Sequence, residues 1–281
     1  MSLSLIAKTI KPSPTLALNE KAAILREKGD PVIHLGGGEP KSRAPMDAIL
    51  SAVNMLNSGE VRYAPADGIP ELKKAIIRYT EEFYHRKVNP ENVIASSGAK
   101  QAIMVALQAI LNPQEEVIFP APYWVSYPDM ARLVGAVPVP VLPEDGSFYP
   151  RLKDIEMRVG SYTKAIIINS PNNPTGAMYS EEFIADIVDF CERKNIYLIM
   201  DDIYHRLIFD GRKPISAFDY TKKSVEESKL LIINGVSKQY AMTGFRIGWA
   251  VGNKKLIEAM ANIQGHQTSG PSVLLQKAAV G

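Results

Sequence analysis

From about residue 69 onward, apolar positions spaced three and four apart alternate with short runs that are apolar almost throughout. The first pattern predicts amphipathic helices over residues 71–86, 100–111, 181–194 and 254–264, most of them bounded by Pro, Gly or Asn. The second predicts strands over residues 92–95, 116–119, 136–141, 165–169, 197–200, 230–234 and 246–251. Strands alternating with helices are the signature of an α/β core, here a mostly parallel seven-stranded sheet between helices. The runs at 165–169 and 197–200 lack a polar face, as central strands buried on both sides require. No internal repeat or low-complexity tract interrupts this order, and residues 272–279 have the pattern of an unfinished helix.

Open α/β sheets bind ligands beyond the C-terminal ends of their strands, so the residues that follow each predicted strand carry the functional expectation. They read Ser96-Ser97-Gly98-Ala99-Lys100, Pro120-Ala121-Pro122-Tyr123-Trp124, Ser170-Pro171-Asn172-Asn173-Pro174-Thr175-Gly176, Asp201-Asp202-Ile203-Tyr204 and Gly235-Val236-Ser237-Lys238. The first is a strand, then small residues, then a helix start, where free N–H groups and the helix dipole favour an anion. Alone, it reads more readily as an ordinary strand-to-helix turn. Asp201 ends an apolar strand, and a buried carboxylate needs a cationic or hydrogen-bonding partner to stay ionised. Its alternative is a surface acid or helix cap, weakened by Asp202 and Tyr204 in the same turn. Lys238 alone would be a solvated lysine. No dinucleotide or triphosphate-binding glycine motif is present, and Gly36-Gly37-Gly38-Glu39-Pro40 opens no helix until several residues later.

Composition narrows the reading further. With 281 residues, 46% of them hydrophobic, the chain can bury roughly three quarters of its unfolded surface. Its 32 basic and 30 acidic residues give a net charge of +2 without basic runs, which argues against nucleic acid and anionic membranes as partners. The single cysteine, Cys191, excludes an internal disulfide and reads as a buried thiol, in keeping with a reducing cytoplasm. Lys8, Lys11 and two prolines break up the N-terminal segment, so neither a signal peptide nor a membrane span is expected there. His34, His85, His205 and His266 lack metal-ligand spacing and read as core or surface residues, with no metal expected. Met104 and Met260 read as core filling.

Taken together, Ser170 to Gly176, Asp201-x-x-Tyr204, and Ser237-Lys238 followed by Met242-Thr243-Gly244-Phe245-Arg246-Ile247-Gly248 resemble the class I and II pyridoxal-phosphate aminotransferases of fold type I. Tyr63-Ala64-Pro65-Ala66-Asp67-Gly68 and Pro120 to Trp124 add to the resemblance, which runs from about Pro12 to the last residue and is greatest to bacterial aspartate aminotransferases. It implies that Lys238 holds pyridoxal 5'-phosphate covalently and later carries the proton between the substrate Cα and the cofactor. It implies that Asp201 pairs with the pyridine nitrogen, that Asn173 and Tyr204 bond the phenolic oxygen, and that Trp124 stacks on the ring. Phosphate binding falls by the same resemblance to Gly98, Ala99, Lys100, Ser237 and Arg246, and to Tyr63 of a second subunit. A site shared in that way implies a homodimer with a large twofold interface.

The resemblance also bears on substrate. Gly38 matches a backbone contact to the substrate carboxylate, beside Trp124 and Asn173. Lys100, Ser13 and Thr15 match a distal-carboxylate site, although they also read as a solvated lysine and a polar linker. The expected activity is amino transfer between aspartate or another dicarboxylic amino acid and a 2-oxo acid by a ping-pong cycle, within amino-acid metabolism. Prephenate, aromatic and alanine-type substrates stay open. The alternatives are a C–S lyase or β-eliminase using the same cofactor, and a truncated cofactor-binding module without turnover. The division expected is residues 1–45 as an N-terminal segment and part of a small domain, and 46–281 as the cofactor-binding large domain. The C-terminal small domain, with the family's carboxylate-binding arginine, is expected to be missing.

Overall fold

The predicted strands form one sheet in a computed structural model that describes residues 2–10, 12 and 14–281. They are β1 (Val93–Ser96), β2 (Glu116–Pro120), β3 (Val137–Val141), β4 (Thr163–Asn169), β5 (Tyr197–Asp201), β6 (Leu230–Gly235) and β7 (Gly248–Val251). Their order across the sheet is β1-β7-β6-β5-β4-β2-β3. Only β7 runs antiparallel, against both β1 and β6. This reversal matters for the site, because it brings the start of β7 to the edge where the other strands end.

The helices are α1 (Leu5–Thr9), α2 (Pro14–Glu27), α3 (Met46–Ser58), α4 (Pro70–Tyr84), α5 (Ala99–Ile110), α6 (Tyr127–Leu133), α7 (Leu152–Glu156), α8 (Glu181–Lys194), α9 (Lys254–Thr268) and α10 (Val273–Val280). Two apolar cores form, one on each face of the sheet. β4 and β5 contribute alternate residues to both, with Ile166, Ile168, Leu198 and Met200 in one and Ala165, Ile167 and Ile199 in the other. That is why these strands read as continuous apolar runs.

Local chemistry accounts for the helix limits. α4 begins on Pro70 and ends where His85 turns left-handed, and it buries Leu72, Ile76, Tyr79, Thr80 and Tyr84 along one face. α8 starts at Ser180, whose hydroxyl accepts from the Phe183 N–H, and stops at left-handed Asn195. Cys191 is a free, buried thiol of this helix, and burial pushes its pKa up. Met260 is fully buried in α9, and α10 completes the helical pattern expected near the C-terminal end.

One expectation needs correction. Residues 246 and 247 do not belong to the last strand: Arg246 has φ 54° and closes a 3₁₀ turn over Thr243–Phe245. That turn leaves the guanidinium beside Gly98, and β7 starts only at Gly248. Residues 31–45, which include Gly36 to Pro40, pass without regular structure to α3. No helix among the described residues is long and apolar enough to cross a membrane.

Candidate active site

A cavity of about 570 Å³ opens where the strands end, lined by residues from six of the seven strand termini. Ala99 and Lys100 follow β1, Trp124 follows β2, Asn169 and Asn173 close β4, and Asp201 and Tyr204 close β5. Ser237 and Lys238 follow β6, and Arg246 stands just before the reversed β7. Gly38, Thr15 and Leu18 reach over from the N-terminal segment.

Asp201 forms the polar floor. Its Oδ2 accepts from the Tyr127 hydroxyl at 2.5 Å, while its Oδ1 is buried without a partner. Burial raises its pKa to about 6, opposed by the Tyr127 hydrogen bond, the Ile203 N–H and Lys238. The Asn169 side chain ties the β4 and β5 ends together: its Nδ2 donates to the Asp201 carbonyl at 2.7 Å and its Oδ1 accepts from the Asn173 N–H at 2.7 Å. A buried, unpaired carboxyl oxygen on a residue that lines a cavity is an acceptor that suits a donor, ideally a cationic N–H.

Where β1 ends and the turn before β7 begins, the cavity wall presents free N–H groups and a cation, the chemistry that suits an anion. Gly98 has φ 89° and caps α5, so the Ala99 and Lys100 N–H groups have no intrahelical acceptor. A Cβ at Gly98 would run into the Arg246 guanidinium, and one at Gly248 would overlap the Ala99 amide nitrogen. Gly248 is thus required by close approach to backbone, and Gly98 by its positive φ. The guanidinium is held by its own turn, donating from Nη1 to the Thr243 carbonyl at 2.8 Å.

Lys238 lines the same cavity, half-buried, donating from Nζ to the Gly38 carbonyl at 2.6 Å. Burial holds its pKa below the usual lysine value; Arg246 adds to this, and Glu39 and Asp201 oppose it. Burial and the Asp201 charge push the Tyr204 hydroxyl up to about 12, and Asn173 Nδ2 donates to it at 3.4 Å. Lys100 Nζ lies over the Trp124 ring, 4.8 Å from its centroid, and burial beside Arg246 lowers its pKa. The Thr243 hydroxyl hydrogen bonds Glu39, tying the Gly38 segment to the turn that carries Arg246.

The expected site residues Gly38, Ala99, Lys100, Trp124, Asn173, Asp201, Tyr204, Ser237, Lys238, Arg246 and Thr15 therefore share one cavity, with Gly98 against Arg246 at its edge. Tyr63 does not: it is 96% exposed and forms no part of these walls. Ser13 lies outside the described residues. Sequence reasoning missed Tyr127, Asn169, Thr243 and Gly248 as contributors. Tyr127 stands only three residues beyond Trp124, and Asn169 is the polar end of an otherwise apolar strand, a signal like the one that singled out Asp201.

The family model for aminotransferases of class I and II matches residues 30–281. The chain is 39% identical over 281 residues to the aspartate aminotransferase of Bacillus subtilis, covering all of this chain and 71% of that protein. It is 40% identical over 276 residues to the probable aspartate/prephenate aminotransferase of Thermus aquaticus, covering 98% and 70%. Among solved structures, aspartate aminotransferase from Thermus thermophilus with maleate superposes with a TM-score of 0.93 at 38% identity, covering 100% of this chain and 72% of that one.

Proposed function

The chain belongs to the class I and II aminotransferases, and on that premise we propose that it holds pyridoxal 5'-phosphate on Lys238 and transfers the amino group of aspartate or another dicarboxylic amino acid to a 2-oxo acid. The observation that carries this reading is the pairing of an unpartnered Asp201 Oδ1 with the Gly98 and Arg246 cradle in one cavity. Asp201 would hold a cationic ring N–H, and the Ala99 and Lys100 amides, the Ser237 segment and Arg246 would hold a phosphate, the donor set that a phosphate-bearing pyridine requires. When bound, the group supplies an electron sink for the charge left as a substrate Cα gives up its proton.

The chain's own residues do the rest. Asp201 keeps the ring nitrogen protonated through a charge-assisted hydrogen bond. Lys238 Nζ, with its lowered pKa, takes the Cα proton and returns it. Tyr204 and Asn173 offer donors at the ring's edge, and Trp124 covers its face. Lys100 is the cation for a distal carboxylate, and Thr15 borders the same space. Relatives named aspartate/prephenate aminotransferases make prephenate the second substrate to try.

The test is titration with pyridoxal 5'-phosphate followed by absorbance, then borohydride reduction and peptide mapping, and assay of aspartate with a panel of 2-oxo acids. One adduct per chain on the Lys238 peptide, and a 2-oxo acid formed from aspartate in step with a new amino acid, are expected. An adduct elsewhere, or pyruvate and ammonia as products, would sink the reading, the latter in favour of an eliminase.

Two further assignments belong to the same reading. Residues 1–45 form part of a small domain and 46–281 the large, cofactor-binding domain, in a cytoplasmic enzyme. The enzyme is a homodimer in which Tyr63 enters the partner's cavity; its exposure, and that of Met46, Leu50, Leu56 and Val61 nearby in sequence, supports this. Sedimentation at micromolar concentration should give twice the chain mass, and a monomeric species with full activity would rule the shared site out.

Gly98→Ala tests the cradle. The added methyl must displace Arg246 and also accept a left-handed backbone, a strain of roughly 1–3 kcal/mol, so affinity for pyridoxal 5'-phosphate should fall about tenfold or more. Equilibrium titration of the variant reads this directly.

A further inference from the structure

Behind the Asp201 floor lies a second polar layer that the amino-transfer chemistry does not use. His205 is 2% exposed, its ring stacked on Tyr84 at 4.8 Å between centroids and edge-on to Tyr79. Asn234, fully buried at the penultimate position of β6, gives one Nδ2 proton to the Tyr84 hydroxyl at 2.9 Å and the other to His205 Nδ1 at 3.0 Å. Its Oδ1 accepts from the Gly235 N–H at 2.7 Å. With the Asn234 amide as donor, His205 Nδ1 is the acceptor and the ring proton is assigned to Nε2; the Tyr79 hydroxyl lies beside this ring edge, 3.4 Å from both nitrogens. Tyr79 in turn donates to Gln239 Oε1 at 2.9 Å. At the other end the Tyr84 hydroxyl faces the Asp202 carboxyl, which is buried beside Asp201.

This chain of donors and acceptors runs from the neighbour of Asp201 to the neighbour of Lys238. We propose that His205 is a positioning residue at its centre, fixing the exit of β5, which carries Asp201, relative to the exit of β6, which carries Lys238. The proposal rests on the roles given above to those two residues. Buried polar groups cost stability unless every bond is made, so a layer of this kind is poor core filling; what it provides is direction. Asn234 has both protons and its carbonyl engaged, which orients the Gly235-Val236-Ser237-Lys238 segment. His205 is itself held on the β5 side by its N–H, which donates to the Asp202 carbonyl at 2.9 Å. Burial, with the Arg206 charge, lowers the His205 pKa to about 4, so the ring stays neutral and the bonding pattern persists at working pH.

Two variants separate positioning from packing. His205→Phe keeps an aromatic ring against Tyr84 but removes both nitrogens; His205→Gln restores an acceptor and a donor. The first readout needs no cofactor: the pH profile of acetic anhydride labelling at Lys238, followed by mass spectrometry of the apoprotein. Glu39, Asp201, Tyr204 and Arg246 surround that Nζ, so moving its segment changes the profile. In His205→Phe the midpoint should move by about half a pH unit or more, and in His205→Gln it should return to the wild-type value. The second readout is affinity for pyridoxal 5'-phosphate, expected to weaken at least about fivefold in His205→Phe and within about twofold in His205→Gln. A His205→Phe protein with a lower melting temperature but an unchanged labelling midpoint would overturn the proposal, as would identical behaviour of the two variants. If wild-type protein forms no Lys238 adduct, the cofactor reading fails, while the labelling comparison still decides the role of His205.

Discussion

Lys238→Ala should reduce amino transfer by about 10⁴-fold, the upper range for loss of a positioned proton-transfer group, and should abolish the borohydride-stable adduct. No other side chain among the described residues of the cavity can take over. The Tyr204 hydroxyl, with a pKa of about 12, keeps its proton at neutral pH. Asp201 is committed to the floor, its Oδ2 already accepting from Tyr127. Lys100 also has a lowered pKa, yet its Nζ is stacked on Trp124 rather than placed with Lys238 beside Gly38. The substitution should leave the fold intact, since Lys238 is half-buried and loses one hydrogen bond to the Gly38 carbonyl. Small primary amines added to the variant should recover part of the rate by supplying a free base to the vacated volume. Steady-state rates with and without methylamine check this; a residual rate within tenfold of wild type would remove Lys238 from the mechanism.

What could be read from the chain beforehand followed from burial. β4 and β5 are buried on both faces, so their runs are apolar without interruption, and their predicted limits fall within two residues of those observed. The strand-end segments were legible because polar residues gather there after apolar runs. Arg246 was not legible as a turn, because a left-handed arginine is a conformation imposed by the surrounding structure rather than by its own preference. α3 escaped notice for a related reason: Ala48 is its only buried residue, and Met46, Leu50, Val53 and Leu56 face outward, so no stripe marks one inner face. The His205 layer combines residues of α4, β6 and the two strand exits. Each alone looks like an ordinary core or surface residue, and only the fold brings them within hydrogen-bonding distance.

Asp201→Asn should change two properties in opposite directions. Among the described residues the carboxylate is the only acidic group lining the cavity, and an amide cannot hold a ring nitrogen protonated, so turnover should fall on the order of 10³-fold and cofactor affinity should drop with it. The apoprotein responds the other way. In the unfolded chain an aspartate titrates near about 3.9, whereas Asp201 in the fold titrates at about 6 because burial disfavours its charge. The folded state thus binds this proton more tightly. Its contribution to stability is fully present below about pH 4 and is lost as the pH rises through about 6, leaving a buried charge that costs roughly 3 kcal/mol. Asparagine carries no such charge, and its Oδ1 can still accept from Tyr127. Urea unfolding of the two apoproteins at pH 4 and pH 8 should show a variant that gains on wild type by about that amount between the two pH values, while added pyridoxal 5'-phosphate stabilises wild type more. An unchanged difference between pH 4 and pH 8 would mean that the carboxyl is not held in its raised state, and the floor of the site would have to be assigned elsewhere.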